Sequence, residues 1–219
     1  MPVPLAVIAL SPTSVLSKLE RLVVRQLVNF LTSADLLPSL QSGFRAGHST
    51  ETAVLRVLSD ILHHAVDCGD VAALVHGSLY SGYRYRLPCL VLLDLSAAFD
   101  TVDHDILLQR LQVTFGIDDV AHRWIRSYLS VRTQRVRLGA KKSSITRLVC
   151  GVPQGSLLGP ILFVLYTVDL IPLIQSHSLS AHLYADDTQV YGSCRPADIV
   201  SFFFGSLPMR RRDIRLDEI

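Results

Sequence analysis

Apolar residues recur at helical spacing in VLSKLERLVVRQLVNFL (15–31), where Leu19, Leu22, Val23, Leu27 and Phe30 share a face and Ser14 offers an N-cap. The Pro, Gly and Ser content of LLPSLQSGFRAGHST (36–50) predicts a loop. A second amphipathic helix follows from about Ser49 to His64, with Ala53, Leu55, Val57, Leu58, Ile61 and Leu62 as its apolar set and His63 and His64 at its polar end. LVLLDLS (90–96) has the unbroken apolar pattern of a strand buried on both faces, into which one acid, Asp94, is set. Asp100 or Thr101 can cap a helix running to about Gln112, and another helix, 118–129, stacks Val120, Trp124 and Tyr128. TQRVRLGAKKSSITRLV (133–149) alternates around a glycine-containing turn, the pattern of a basic β-hairpin. The loop GVPQGSLLGP (151–160) leads into a largely buried helix ending near Pro172. Last, LYADDTQVY (183–191) reads as two short strands interrupted by Asp186 and Asp187, a conflict that a tight hairpin turn relieves. Helices and antiparallel hairpins alternate irregularly, which makes the class α+β.

Bulk properties narrow this picture. At 219 residues the chain can bury a substantial core. Its 49% hydrophobic content and mean hydropathy of +0.36 are high for a soluble protein, yet the longest greasy stretch, ILFVLYTVDLIPLI (161–174), is short for a membrane span and contains Asp169 and Pro172. No membrane association is therefore expected. The apolar start PVPLAVIAL lacks a basic leader, so secretion is not expected either. Cys68, Cys89, Cys150 and Cys194 are widely separated and show no zinc-type spacing, as in a protein of a reducing compartment. The compartment could be nuclear or cytoplasmic, and the oligomeric state is left open. Net charge is only +2, but no acid occurs from Val120 to Val168, while Arg123, Arg126, Arg132, Arg135, Arg137, Lys141, Lys142 and Arg147 crowd positions 123–147 of that window. This segregation suits a polyanion, and it also suits a merely solvated hairpin.

Three acids stand out as candidate chemistry: Asp94 at a strand end, and Asp186 with Asp187 at a hairpin turn. Burying a lone carboxylate costs several kcal/mol unless it is paired or metal-bound, so Asp94 needs a partner. Hard oxygen donors suit Mg²⁺ shared with substrate phosphates, and two such ions about 3.5–4 Å apart can clamp both oxygens of an in-line phosphoryl displacement.

With those residues in view, DLSAAFDTVDH (94–104), GVPQGSLLGP (151–160) and YADD (184–187) resemble, in order, the reverse transcriptase motifs of non-LTR, LINE-type retrotransposons, and QSGFRAGHSTETA (41–53) resembles the fingers segment of that family. The resemblance spans roughly residues 15–198 and implies the fingers and palm of a right-hand polymerase, with an antiparallel palm sheet packed on helices. It divides the chain into partial fingers (1–70), an atypical insertion (71–91), a palm (92–198) and a divergent tail (199–219) with no thumb. It implies an RNA template, a DNA primer and a dNTP as partners. It further implies that Asp94, Asp186 and the adjacent Asp187 are catalytic and hold two Mg²⁺, with Mn²⁺ as a substitute, and that Leu95 lends a backbone carbonyl. Phe99 would be the gate under the sugar that leaves no room for a 2′-OH. Gln154 and Gly155 would line the nucleotide and template side, and Arg45 would meet the triphosphate. Arg132, Arg135, Arg137, Lys141, Lys142 and Tyr184 would contact nucleic acid, positioning it without reading sequence.

The same residues also have blander roles open to them: Phe99 in core packing, Gln154 as a helix cap, Arg45 on the surface and Tyr184 as a strand aromatic. Two departures from the family pattern bear on activity. HGSLYSGYRYRLPCLV (76–91) separates VAALV from LLDLSAAFD, with Leu90 and Val91 able to rebuild the strand, and SFFFGSLPMRRRDIRLDEI at the C-terminus departs from the family. The alternatives to a polymerase fragment are therefore a catalytically inactive retrotransposon remnant that binds nucleic acid weakly, and a metal-dependent phosphohydrolase that uses the same acids.

Overall fold

The computed structural model describes residues 14–43, 45, 47–67, 87–94, 98–130, 132–153 and 155–194. The inserted residues 76–86, the tail from 199 onward, Leu95 and Gln154 lie outside the described residues. The chain forms two compact units, each discontinuous in sequence: residues 1–37 with 97–166, and residues 38–96 with 167–219.

The first unit is mainly helical. Helix α1 spans Ser14–Ser33, so Ser14 opens the helix and does not stand before it as a cap. Its inward residues are Glu20, Leu27 and Leu31, while Leu19, Leu22 and Phe30 are exposed, which corrects the expected apolar face. Glu20 is drawn inside because its carboxylate accepts the Tyr128 hydroxyl at 2.9 Å and the Leu158 amide at 3.1 Å, satisfying a helix N-terminus that would otherwise be buried unpaired. Burial pushes the Tyr128 hydroxyl up to about 12; Glu20 adds to the rise, and a hydrogen bond with Ser156 opposes it.

After a short 3₁₀ turn at Ala98–Asp100, helix α3 (His104–Val113) is capped by Asp103, which accepts from the Asp105 and Ile106 amides at 2.8 and 3.0 Å. The cap thus falls past both Asp100 and Thr101. Helix α4 (Asp119–Leu129) forms as expected, with Trp124 and Tyr128 stacked at 5.5 Å. The basic hairpin follows as two short ladders, β2 (Thr133–Gln134) on β5 (Thr146–Arg147) and β3 (Arg137–Leu138) on β4 (Lys141–Lys142). Every residue of helix α5 (Leu158–Tyr166) except the half-buried Pro160 is buried. The Arg110 guanidinium donates to the Tyr166 carbonyl and sits over its ring.

The expected single helix into Pro172 is two helices, α5 and, in the second unit, α6 (Leu170–Ser176). A proline in a continuous helix would remove one backbone bond and clash with the carbonyl four residues back, whereas starting a new helix at Leu170 puts Pro172 in the first turn, where its missing N–H costs nothing. The stretch Leu158–Ser176 is long and apolar enough to cross a membrane, and more than half of it is buried in the protein.

In the second unit, helix α2 (Thr50–Asp67) starts with a reciprocal cap between Ser49 and Thr52. It buries Ala53 and Val57, but Leu55, Leu58 and Leu62 face out. Strands β1 (Leu87–Asp94), β7 (Asp187–Cys194) and β6 (Ser180–Tyr184) form an antiparallel sheet in the order β1-β7-β6. The core lies on the helix side, where Leu170 and Ile174 meet Leu179, Ala181, Leu183 and Val190. β1 is not buried on both faces: Leu90 and Leu92 are exposed, because an antiparallel sheet can leave one side uncovered. The strand begins at Leu87, so the end of the stretch read from sequence as an insertion is woven into the sheet.

Replacing Glu20 by Ala leaves the buried Leu158 amide unpaired and takes one acceptor from the Tyr128 hydroxyl, and should cost about 1–3 kcal/mol. Denaturant unfolding of the variant against the parent chain measures this.

Candidate active site

β1 pairs with β7 in register from Leu87↔Cys194 to Asp94↔Asp187. Asp94 therefore stands directly opposite Asp187, and residues so placed have Cα atoms roughly 4.5–5.5 Å apart. On the other side of β7, Tyr184 pairs with Asp187, so Ala185 and Asp186 form a two-residue turn. The sheet thus gathers all three sequence-predicted acids at one end. Asp186 is half-buried and Asp187 exposed, and among the described residues neither carboxylate has an ion-pair partner. The backbone of Asp94 is described and its side chain is not. The described side chains contain no group of three potential metal ligands; with Asp94 the acids would number three. An all-oxygen set of this kind fits a hard divalent cation.

The turn is braced from an unexpected quarter. Residues 40–42 run beside β6 as a short parallel bridge, with the Leu183 amide donating to Leu40 and the Ser42 amide to Leu183, both at 2.8 Å. Gly43 then passes so close to the turn that an added Cβ would stand 2.1 Å from the Ala185 nitrogen and 2.7 Å from its Cα. Only glycine fits there. Ser42 Oγ lies 3.0 Å from His182 Nε2, and burial holds the His182 imidazole below its usual range, Arg56 adding to the effect. Tyr191 donates to Asp60 at 2.6 Å, and burial with this contact raises its hydroxyl. Gln41 and Gly43 were missed as site residues: 36–50 read as a loop within a fingers-like segment, and no local signal ties it to a turn more than 140 positions away.

Of the remaining candidates in this unit, Tyr184 is half-buried at the end of β6. Arg45 is also half-buried, and it donates from Nη1 to the Pro38 carbonyl at 2.9 Å.

In the first unit the two longer sequence motifs interlock. The Gly151 amide donates to Val102 and the Val152 amide to Phe99, both at 2.7 Å. The Gly151 carbonyl accepts from His104 Nε2 at 2.8 Å and from Arg132. Gly151 has φ +84°, and a Cβ there would meet the Asp100 backbone at 3.0 Å. Phe99 packs on Phe163 with ring centroids 5.0 Å apart while remaining half-buried. Gly155 is exposed, with no described atom within 4 Å of a Cβ position.

The basic candidates divide. Arg135, Arg137, Lys141 and Lys142 are exposed along the hairpin, and Arg137 sits directly opposite Lys142 in the ladder. Like charges so placed destabilise a hairpin that has no anion nearby. Arg132 is half-buried against the Gly151 carbonyl, and burial lowers its pKa. It holds a loop and belongs less to the charged surface.

A carboxylate cluster on an antiparallel hairpin, within a mixed helix-and-sheet fold, is the architecture of a nucleic-acid polymerase palm. The family model for reverse transcriptase (RNA-dependent DNA polymerase) matches residues 9–199, and the chain belongs to this family. Its relatives are polymerases of non-LTR mobile elements. It is 35% identical over 162 residues to the probable RNA-directed DNA polymerase from transposon BS of Drosophila melanogaster, covering 74% of this chain and 16% of that protein. It is 31% identical over 188 residues to the RNA-directed DNA polymerase from mobile element jockey of the same species, covering 82% and 18%. The chain therefore spans less than a fifth of these curated relatives. Among solved structures, apo telomerase from Candida tropicalis, truncated from its C-terminal domain, aligns with a TM-score of 0.50 at 15% identity over 89% of this chain and 38% of that one. That likeness supports the fingers-palm fold.

Two outcomes follow from the site's packing. Gly43→Ala forces the turn backbone aside and should destabilise the protein by about 1–3 kcal/mol in denaturant unfolding. His182 is 3% exposed and its Nδ1 has no partner among the described residues, so the folded protein disfavours a second proton on the ring. The unfolded chain takes that proton below about pH 6.5, so stability should be full above that pH and fall as pH drops beneath it. Thermal unfolding from pH 7.5 to 5 should show a shallower slope in His182→Gln.

Proposed function

We propose that the chain is the catalytic part of an RNA-templated DNA polymerase, joining the α-phosphorus of a dNTP to a primer 3′-oxygen with release of pyrophosphate. The single observation that carries this is the register that sets Asp94 opposite Asp187 with Asp186 on the adjoining turn. In this reading Asp94 and Asp186 hold Mg²⁺, or Mn²⁺ in its place, with Asp187 beside them and the Leu95 carbonyl assisting. When bound, two such ions activate the attacking oxygen and stabilise the leaving one. Phe99, five residues after Asp94, lies under the sugar and selects dNTPs over ribonucleotides, with its ring braced by Phe163. Gln154 and Gly155 face the nucleotide and template. Arg45 offers the triphosphate the guanidinium donors that its Pro38 contact does not use. Arg135, Arg137, Lys141 and Lys142 contact template and primer phosphates, which relieves the repulsion between Arg137 and Lys142; Arg132 assists by holding the Gly151 loop, and Tyr184 flanks the acids.

Primer extension on a primed RNA template tests this. The parent chain should extend, and Asp186→Asn should reduce extension by about a hundredfold to a thousandfold, the scale of removing one preorganised electrostatic group. Unchanged extension would sink the metal assignment. Salt-sensitive binding with no extension would mark an inactive remnant, and phosphoester cleavage without primer or dNTP would mark a hydrolase. Replacing both Arg137 and Lys142 by Gln should weaken duplex binding and make the salt slope shallower by about two phosphate contacts, as read by titration at several salt concentrations.

A further inference from the structure

Gln41 makes a contact set that nothing in a loop-like stretch announces. It is 1% exposed. Its Nε2 donates to the Ala185 carbonyl at 3.2 Å, and its Oε1 accepts from the Ala185 amide at 3.2 Å and the Gly43 amide at 2.8 Å. One side-chain amide therefore brackets both peptide groups of Ala185. That residue is the first of the two turn positions between Tyr184 and Asp187, and it has φ +57°, a left-handed conformation that a side chain with a Cβ adopts only when its surroundings impose it. Asp186 is the next residue, so the rotation at Ala185 sets where its carboxylate starts from.

We propose that Gln41 is a positioning residue for the polymerase chemistry: its amide, seated by the close pass of Gly43, holds Ala185 left-handed and thereby fixes Asp186 and Asp187 relative to Asp94. This rests on the polymerase reading for its catalytic consequence and on the geometry alone for its structural one. Among the described residues Gln41 reaches the acids through the turn backbone. Its removal should therefore misplace the carboxylates and leave the nucleotide-binding surfaces intact. The loss should appear in kcat and in the Mg²⁺ requirement, and not in KM for the dNTP.

The test compares the full chain with Gln41→Met, which keeps the volume and removes all three bonds, and with Gln41→Glu, which keeps an oxygen acceptor for both amides. Amide hydrogen exchange at Gly43 and Ala185 is followed alongside steady-state primer extension at a series of Mg²⁺ concentrations. In Gln41→Met, exchange at both amides should quicken by about tenfold. In the same variant kcat should fall by about tenfold or more, with KM for the dNTP nearly unchanged and more Mg²⁺ needed for half-maximal rate. Gln41→Glu, which keeps the acceptor and loses the donor to the Ala185 carbonyl, should restore part of the exchange protection. Unchanged exchange in Gln41→Met overturns the proposal, as does lost protection with unchanged kcat, or a fall in kcat that only tracks a smaller folded fraction. If the parent chain extends no primer, the polymerase reading fails by itself, and the exchange measurement still decides whether Gln41 holds the turn.

Discussion

The register of β1 against β7, from Leu87↔Cys194 to Asp94↔Asp187, sets two acidic residues opposite each other at the end of an antiparallel ladder. The period of a strand is two, so a slip of one residue would carry Asp94 to the opposite side of the sheet and take every apolar neighbour with it. Repulsion between directly opposed like charges is worth roughly 0.2–1 kcal/mol. The packing that resists it is on the helix side, where Leu170 and Ile174 cover Ala181, Leu183 and Val190. The ladder extends back to Leu87, so the unusual residues before the first motif lengthen the strand that fixes the register.

Both units place chemistry on loops by closing backbone onto backbone. In one, Gly43 approaches the turn too closely for any side chain, and the bridge at 40–42 ties that approach to β6. In the other, Gly151 does the same against Asp100 and is held by three further hydrogen bonds, from its own amide to Val102 and from His104 and Arg132 to its carbonyl. Loops on a rigid scaffold are where function concentrates. Glycine at the contact lets the scaffold reach the loop's main chain directly, and main-chain contacts do not depend on the rotamer of a long side chain.

The double-acid hairpin, α4 and the basic hairpin were legible in the sequence because their signals are local: an acid pair inside a strand pattern, a helical stripe after Asp118, alternation around a turn. Burial was much less legible. Leu19, Leu22 and Leu55 satisfy helical periodicity yet remain exposed, since periodicity shows which residues could be covered and not whether anything covers them. Glu20 is the converse case, a charged residue inside because a helix end 138 positions away needs an acceptor. Gln41 is of the same kind: its partner at Ala185 is 144 positions distant, and no spacing rule connects them. Pro172 was read as a terminator, although the first turn of a helix tolerates it as well as the end does.

Two like-charge pairs stand opposite each other in register: Asp94 with Asp187 at the end of the sheet, and Arg137 with Lys142 in an exposed hairpin. Any species that neutralises one of them and binds only the folded chain must stabilise that chain by mass action. A divalent cation would relieve the first and a phosphate backbone the second. Placed side by side in one element, the opposite charges would have cancelled internally and left nothing for a ligand to neutralise. The two sets are kept apart in the sequence: no acid occurs from Val120 to Val168, and the facing acids lie at 94 and 187.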